Sequence, residues 1–334
     1  MQRMRDVFIE EIYHQMHTDE NIFFVTADFG SPKLDLIRKD FPNNFLNAGI
    51  AEQNLINVST GLALEGFTVY SYAISTFMTM RAFEQIRNNL ALMSRFKCLN
   101  INLISVGAGL SYDMSGPSHH CLEDLSIMRT LPNIEIFSPS DNVLTEKFFD
   151  YSVKIKKPKY IRLDGKPLPD IYDKIISNKK NDHQSHQSDK SDKCINDIKI
   201  EDRFYELRKG KDMCIISTGI MTQTALALNF LDNSIGIIDM FMLRPLNENL
   251  LFDKIKDYKT IITMEEGFIN KGGLDSLISS ILNKKNSNIK LIRIGFEDKY
   301  IFDIGSREYL HRLNQIDAES IIKAINYRID KFIK

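Results

Sequence analysis

Ile22-Phe23-Phe24-Val25-Thr26-Ala27-Asp28-Phe29-Gly30-Ser31-Pro32 begins as an apolar, β-prone run and closes on a cluster of turn formers, the pattern of a buried strand running into a loop. Outward from it the alternation continues. After Asn47-Ala48-Gly49, the residues Ala51, Leu55, Val58 and Leu62 recur at helical spacing and stop at Gly66, a residue suited to closing a helix. Residues 67–72 read as a strand, about 78–95 as a helix, and 99–106 as a strand again. Residues 133–137 and Lys159–Leu163 supply two more strands, with Ser140 or Asp141 able to cap the helix between them. Strands alternating with helices predict a parallel α/β sheet covered on both faces.

From about 177 to 196 the composition turns to Lys, Asp, Ser, Gln, Asn and His, with almost nothing apolar. Such a stretch cannot form a core, which predicts a solvated linker or insertion. A second α/β pattern starts after Asp212. Its strands are expected at Met213–Ser217, 235–240, 260–264 and 289–293, with helices at 223–231 and 247–255, and Gly272-Gly273 opening a third. The fold expected is therefore α/β, two doubly wound domains, at 1–175 and 201–334, joined by a polar segment at 176–200.

The 334 residues suit two domains, each able to bury a core. Lys and Arg total 43 against 44 Asp and Glu, so no net field points to nucleic acid or an anionic membrane. A small-molecule or protein partner is expected instead. Cys98, Cys121, Cys194 and Cys214 form no C-x-x-C pair, which fits neither a zinc site nor a disulfide framework and predicts a reducing, cytoplasmic setting. His183 and His186 lie in the polar stretch and are not taken as metal ligands; no metal site is expected on this chain. No apolar run approaches a membrane span, no signal-peptide pattern follows Met1, and neither a P-loop nor G-x-G-x-x-G after a strand is present.

Gly49-Ile50-Ala51-Glu52-Gln53-Asn54 places a carboxylate where a loop turns into a helix. By position alone Glu52 is more readily a partner of the helix dipole than a catalytic group. What alters that balance is the ordered company of Ser75-Thr76-Phe77-Met78-Thr79-Met80-Arg81-Ala82-Phe83-Glu84-Gln85, Gly116-Pro117-Ser118-His119, Leu131-Pro132-Asn133 and Ser138-Pro139-Ser140-Asp141. From about Val7 to Gly165 this set resembles the pyrimidine-binding domain of transketolases and of 1-deoxy-D-xylulose-5-phosphate synthases. Ser217-Thr218-Gly219, Arg244-Pro245-Leu246 and Glu265-Glu266-Gly267 extend the likeness more weakly into a transketolase C-terminal-like domain.

The resemblance implies that Glu52 hydrogen-bonds the pyrimidine N1′ of thiamine diphosphate and favours the tautomer that draws the proton from the thiazolium C2. Phe77, Met80 and Phe83 match the apolar wall around that ring, though Phe77 and Phe83 also suit an ordinary core face, and Met80 stands where transketolases often carry an aromatic residue. His119 matches the histidine over the thiazolium that contacts substrate oxygens, with His120 beside it. Ser115 replaces an aspartate that recognises a sugar hydroxyl in the family, and Asp113 is the nearby candidate to substitute. Arg162 matches an arginine that grips a sugar phosphate, a task its planar fork suits equally with a salt bridge; Arg3 or Arg5 could align with a second.

No Gly-Asp-Gly, the family's signature for magnesium and diphosphate, occurs in the chain. The resemblance therefore implies a partner polypeptide that binds Mg2+ and the diphosphate, an N-terminal transketolase subunit, in an α2β2 assembly. The activity expected is transfer of a two-carbon ketol unit between sugars or sugar phosphates. Condensation of pyruvate with an aldehyde, as in the synthases, is the alternative, and a non-catalytic stabilising subunit the second. A 2-oxoacid dehydrogenase β subunit shares the fold but fits the Gly-Pro-Ser-His segment less well.

Overall fold

The computed structural model describes residues 1–173, 198–228 and 235–333, without the side chains beyond 326. Most of the polar segment expected at 176–200 lies outside the described residues. Two sheets organise the chain. The first holds β1 (Ile22–Thr26), β2 (Phe45–Asn47), β3 (Thr68–Ile74), β4 (Ile101–Val106), β5 (Glu135–Phe137), β6 (Lys159–Leu163) and β10 (Met242–Arg244), in the order β10-β5-β6-β4-β3-β1-β2. The second holds β7 (Tyr205–Arg208), β8 (Met213–Ser217), β9 (Ile235–Asp239), β11 (Thr260–Phe268) and β12 (Lys290–Phe296), in the order β12-β11-β8-β9-β7. Every pairing is parallel except those of β10 with β5 and β7 with β9. Two doubly wound α/β domains result, each with one antiparallel strand at its edge.

β4 is buried at all six positions, as a central parallel strand covered on both faces must be. The helix Met4–Met16 packs through Met4, Phe8, Ile9, Ile12 and Met16, at helical spacing, into a cluster that includes Phe24, Tyr70, Phe148 and Phe149. Of the two caps proposed for the helix Asn142–Lys154, Asp141 serves: its carboxylate accepts from the Leu144 amide at 3.0 Å. Ser140 instead donates to Asp239, at 2.5 Å.

The helix expected near 78–95 departs from α geometry. Phe77–Arg81 and Ile86–Leu92 wind as π-helix, around a single α turn at Phe83–Gln85. π turns hold one more residue per hydrogen-bonded ring than α turns, so they re-aim side chains and concentrate at functional sites.

The two domains are interlocked rather than strung together. β10 follows β9 of the second sheet yet completes the edge of the first, pairing Met242 with Phe137 and Arg244 with Ile136. Nearby, Asp239 at the end of β9 accepts from Ser140 and Tyr172 of the first domain and from Thr222 of the second, the latter two at 2.8 Å. Burial outweighs these three donors and pushes the Asp239 carboxyl up from 3.8 to about 7. The unfolded chain loses this proton near its ordinary value, so the folded form binds more protons in between. The resulting stabilisation is complete below about pH 4 and lost as pH rises to about 7. Asp239→Asn is expected to flatten the fall in melting temperature across that window, measured by thermal melts at several pH values; Asp141, raised to about 6, leaves a residual slope of the same sign.

Candidate active site

Across the first sheet the chain steps from β1 outward to β2, then returns to place β3 on the other side of β1. This reversal opens a crevice at the carboxyl ends of β1 and β3, the usual ligand position in an open α/β sheet. β2 leads into the helix Glu52–Leu64, β3 into the π turn at Phe77, and β4 into the loop 107–121. Glu52, Phe77 and His119 thus reach one edge of the sheet from three consecutive connections.

The helix Glu52–Leu64 buries Glu52, Leu55, Ile56, Ser59, Thr60 and Ala63, one inward stripe, so its periodicity carries Glu52 into the protein. The side chain is 3% exposed. Ser71 on β3 donates to Ser59 at 2.8 Å and fixes the helix against the sheet. Arg81 Nη1 donates to Glu52 Oε2 at 2.6 Å, and the Arg81 guanidinium carbon lies 4.8 Å from the centre of the Phe77 ring. The π turn stacks residues 77 and 81, so one arginine touches both the ring and the carboxylate.

His119 meets Phe77 edge to face, ring centres 5.3 Å apart, and stands similarly against Tyr112 at 6.4 Å. Ser118 Oγ lies 3.0 Å from His119 Nδ1. The turn that delivers the imidazole depends on Gly116, whose φ of 75° and ψ of −175° suit only glycine. His120 is buried, its Nε2 is 3.4 Å from the Asp113 carbonyl oxygen, and its Nδ1 has no hydrogen-bond partner among the described residues. Burial pushes its pKa below the ordinary value, which favours the neutral ring.

The other expected site residues are placed differently. Met80 is 42% exposed, and Phe83 lines a separate groove with Arg87, Leu92, Phe96 and Leu131. Ser115 is exposed. Asp113, its candidate substitute, is buried and committed: it accepts from Lys166, from the Met114 amide at 2.9 Å and from the Arg307 amide at 2.7 Å. Arg162 sits in the interior, with Nε donating to Asp124 Oδ2 at 2.6 Å and Nη2 to the Cys121 and Glu266 carbonyl oxygens. Arg5 is also buried and paired with its neighbour Asp6 at 2.9 Å.

Sequence reasoning misses a second cluster behind the loop. Arg307 Nε donates to Glu266 Oε1 at 2.8 Å, Nη2 to Glu266 Oε2, and Nη1 to Asp164 Oδ2 at 2.6 Å. Nothing local marks Arg307, and Asp164 and Glu266 are more than forty residues from it in the chain, so no spacing rule could have joined them. Burial acts to raise the Glu266 pKa, but Arg307 and His311 outweigh it and hold the carboxyl well below the usual range.

Two α/β domains with a buried carboxylate, an aromatic ring and a histidine at the switch point of the first define a class of α/β proteins with a ligand crevice at the sheet edge. The comparisons give that class a family. Residues 1–169 match the transketolase pyrimidine-binding domain and 203–321 the transketolase C-terminal domain, and the chain belongs to the transketolase family. It is 29% identical to one subunit of the apulose-4-phosphate transketolase of Actinobacillus succinogenes, over 96% of both chains. It is 27% identical to 1-deoxy-D-xylulose-5-phosphate synthase of Clostridium perfringens, covering 94% of this chain and 47% of that protein. A solved split gene transketolase, an inactive beta4 tetramer, superposes with a TM-score of 0.80 at 27% identity over 98% of each chain.

Membership implies a thiamine-diphosphate-dependent class of enzyme, and the residues fit the pyrimidine half of that cofactor. An apolar ring face and a carboxyl in one wall are what a flat aminopyrimidine requires, and Phe77 and Glu52 supply them. At the end of β3 the buried hydroxyls of Ser75 and Thr76 lack hydrogen-bond partners among the described residues. Described His, Cys, Asp and Glu residues form no group of three or more placed to hold a metal ion, and no described helix is long and apolar enough to cross a membrane.

Gly109, with φ of 56°, lies so close to Glu266 that a Cβ would collide with the carboxylate. Gly109→Ala is expected to cost about 2–4 kcal/mol, from the left-handed backbone and the displaced charge together, as read from urea unfolding.

Proposed function

We propose that this chain is the pyrimidine-binding, C-terminal subunit of a split transketolase, active when joined to a partner that carries the diphosphate- and magnesium-binding domain. The single observation that carries the reading is the connected set Glu52, Arg81, Phe77 and His119 at the switch point. Thiamine diphosphate, when bound, supplies a thiazolium carbon able to add to a donor ketone. Glu52, on the inward face of its helix, would hold a proton at the pyrimidine N1′, and Arg81, which donates to its Oε2, orients that carboxyl. Phe77 offers a flat apolar face and keeps water from the ring. His119, flanked by Phe77 and Tyr112, donates to substrate oxygens from the loop above. His120, buried and favouring the neutral form, backs the loop rather than the substrate.

Arg162 is assigned a structural part, since it is buried with Nε on Asp124 and Nη2 on two carbonyl oxygens. A substrate phosphate, if the donor carries one, must then be gripped elsewhere in the assembly. Two-carbon transfer between sugars is favoured over condensation from pyruvate because the apulose-4-phosphate transketolase relative matches the chain end to end, whereas the synthase is about twice its length.

Purification of the chain with its native partner is expected to give thiamine-diphosphate- and magnesium-dependent ketol transfer from a ketose phosphate, with none from the chain alone. Glu52→Gln is expected to lower turnover of the complex by about 10²–10⁴-fold. Full activity of that variant would remove Glu52 from the mechanism. Pyruvate consumption without ketol transfer would favour the synthase reading.

A further inference from the structure

We propose that Arg307, on the C-terminal domain, is a positioning residue: through Glu266 and Asp113 it fixes the loop 107–121 and, with it, the imidazoles of His119 and His120. The inference rests on the proposed function only in giving those imidazoles a task.

The loop is held at several points, each traceable to an acid this guanidinium binds or to the backbone amide of Arg307. Glu266, gripped by Arg307 through both oxygens, also accepts from the Leu110 amide at 3.0 Å. Asp113 accepts from the Arg307 amide at 2.7 Å, and the Asp113 carbonyl oxygen faces His120 Nε2 at 3.4 Å. Asp164, the third acid, directly follows β6, whose last residue accepts from the Gly107 and Ala108 amides at 3.0 and 3.1 Å where the loop begins. The amides of His119 and His120 both donate to the Gly116 carbonyl oxygen, so a shift of the loop at Asp113 carries both rings with it.

Shape and charge support the same assignment. Gly109 has no side chain where the Glu266 carboxylate presses against the loop. Three carboxylates, Asp113, Asp164 and Glu266, meet Arg307, Lys166 and His311, whose Nε2 lies 2.5 Å from Glu266 Oε1. Asp113, Asp164, Glu266 and Arg307 are each 1–4% exposed. Water cannot replace a missing member of such a set, so the loop has one low-energy placement rather than several. A patch that merely joined the domains would not need to bond the backbone of the loop; this one does so at Leu110 and receives a backbone amide at Asp113.

Arg307→Lys keeps the charge and the amide but loses the planar fork that takes both Glu266 oxygens and Asp164 at once. In the full-length chain, amide exchange across 107–121 is expected to accelerate by about tenfold or more while β3 and β8 stay unchanged. Should that variant not fold, Glu266→Gln, which preserves shape, carries the same comparison. An unchanged loop, or faster exchange everywhere, would overturn the proposal, the latter because it marks a purely structural residue. In the assembled complex, His119→Asn is expected to cost far less turnover when Arg307 is already lysine than in the parent; additive losses would count against positioning. Absence of ketol transfer in the parent complex would defeat the proposed function while leaving the exchange result to decide this one.

Discussion

An arginine sealed from water is tolerable only where carboxylates surround it, and Arg307 meets that condition with groups drawn from both domains. Its fork takes both oxygens of Glu266 on β11 and one of Asp164 after β6, while its amide serves Asp113 in the loop between. Removing any one member strands charge in a region of low dielectric, where the penalty is several kcal/mol per ion. The path of the loop and the need for Gly109 follow from this requirement, and it adds to β10 and Asp239 in joining the domains. Arg162 with Asp124 repeats the solution a short distance away, with Nη2 donating to the Cys121 and Glu266 carbonyl oxygens. Electrostatic matching across the domain boundary thus replaces part of what an apolar interface would provide, and it does so with directional bonds that fix angles as well as distances.

The site in front of that cluster is assembled by topology. Three successive connections leave the same edge of the sheet, and each brings one group: Glu52 by helical periodicity, Phe77 and Arg81 by a π turn, His119 by a glycine-dependent reversal. The first two stand on helical turns and the third on the loop 107–121, which bonds to the second domain. The wall they form is one-sided and suited to a flat ring.

Regular elements with strong periodicity were legible in the sequence. Met213–Ser217 and Lys159–Leu163 coincide with their strands, and Glu52 could be singled out because a carboxylate stood at a helix start beside a distinctive ordered set of motifs. The helix Met4–Met16 escaped notice even though Phe8, Ile9 and Ile12 carry its signal, because charged residues interrupt the stripe. The π turns could not be foreseen: apolar spacing in 77–95 is compatible with an α-helix, and only packing decides which winding the backbone takes. Short edge strands such as β2 and β10, three residues each, hold too few side chains for a period to register. Arg162 illustrates a different limit. A motif identifies which residue stands at a position, but whether its guanidinium faces a ligand or an interior acid depends on Asp124, 38 residues earlier and in no local pattern with it.

β10 carries a consequence for how such an enzyme can be divided between genes. Because this strand belongs to the second domain by sequence and to the first by hydrogen bonding, a coding break between the two domains would leave the first sheet ending at β5 with an open edge, a template for aggregation. The two domains are therefore stable together only on one polypeptide. A cut between the domains would thus be decided by the hydrogen-bond ladder, which crosses it, rather than by the domain count.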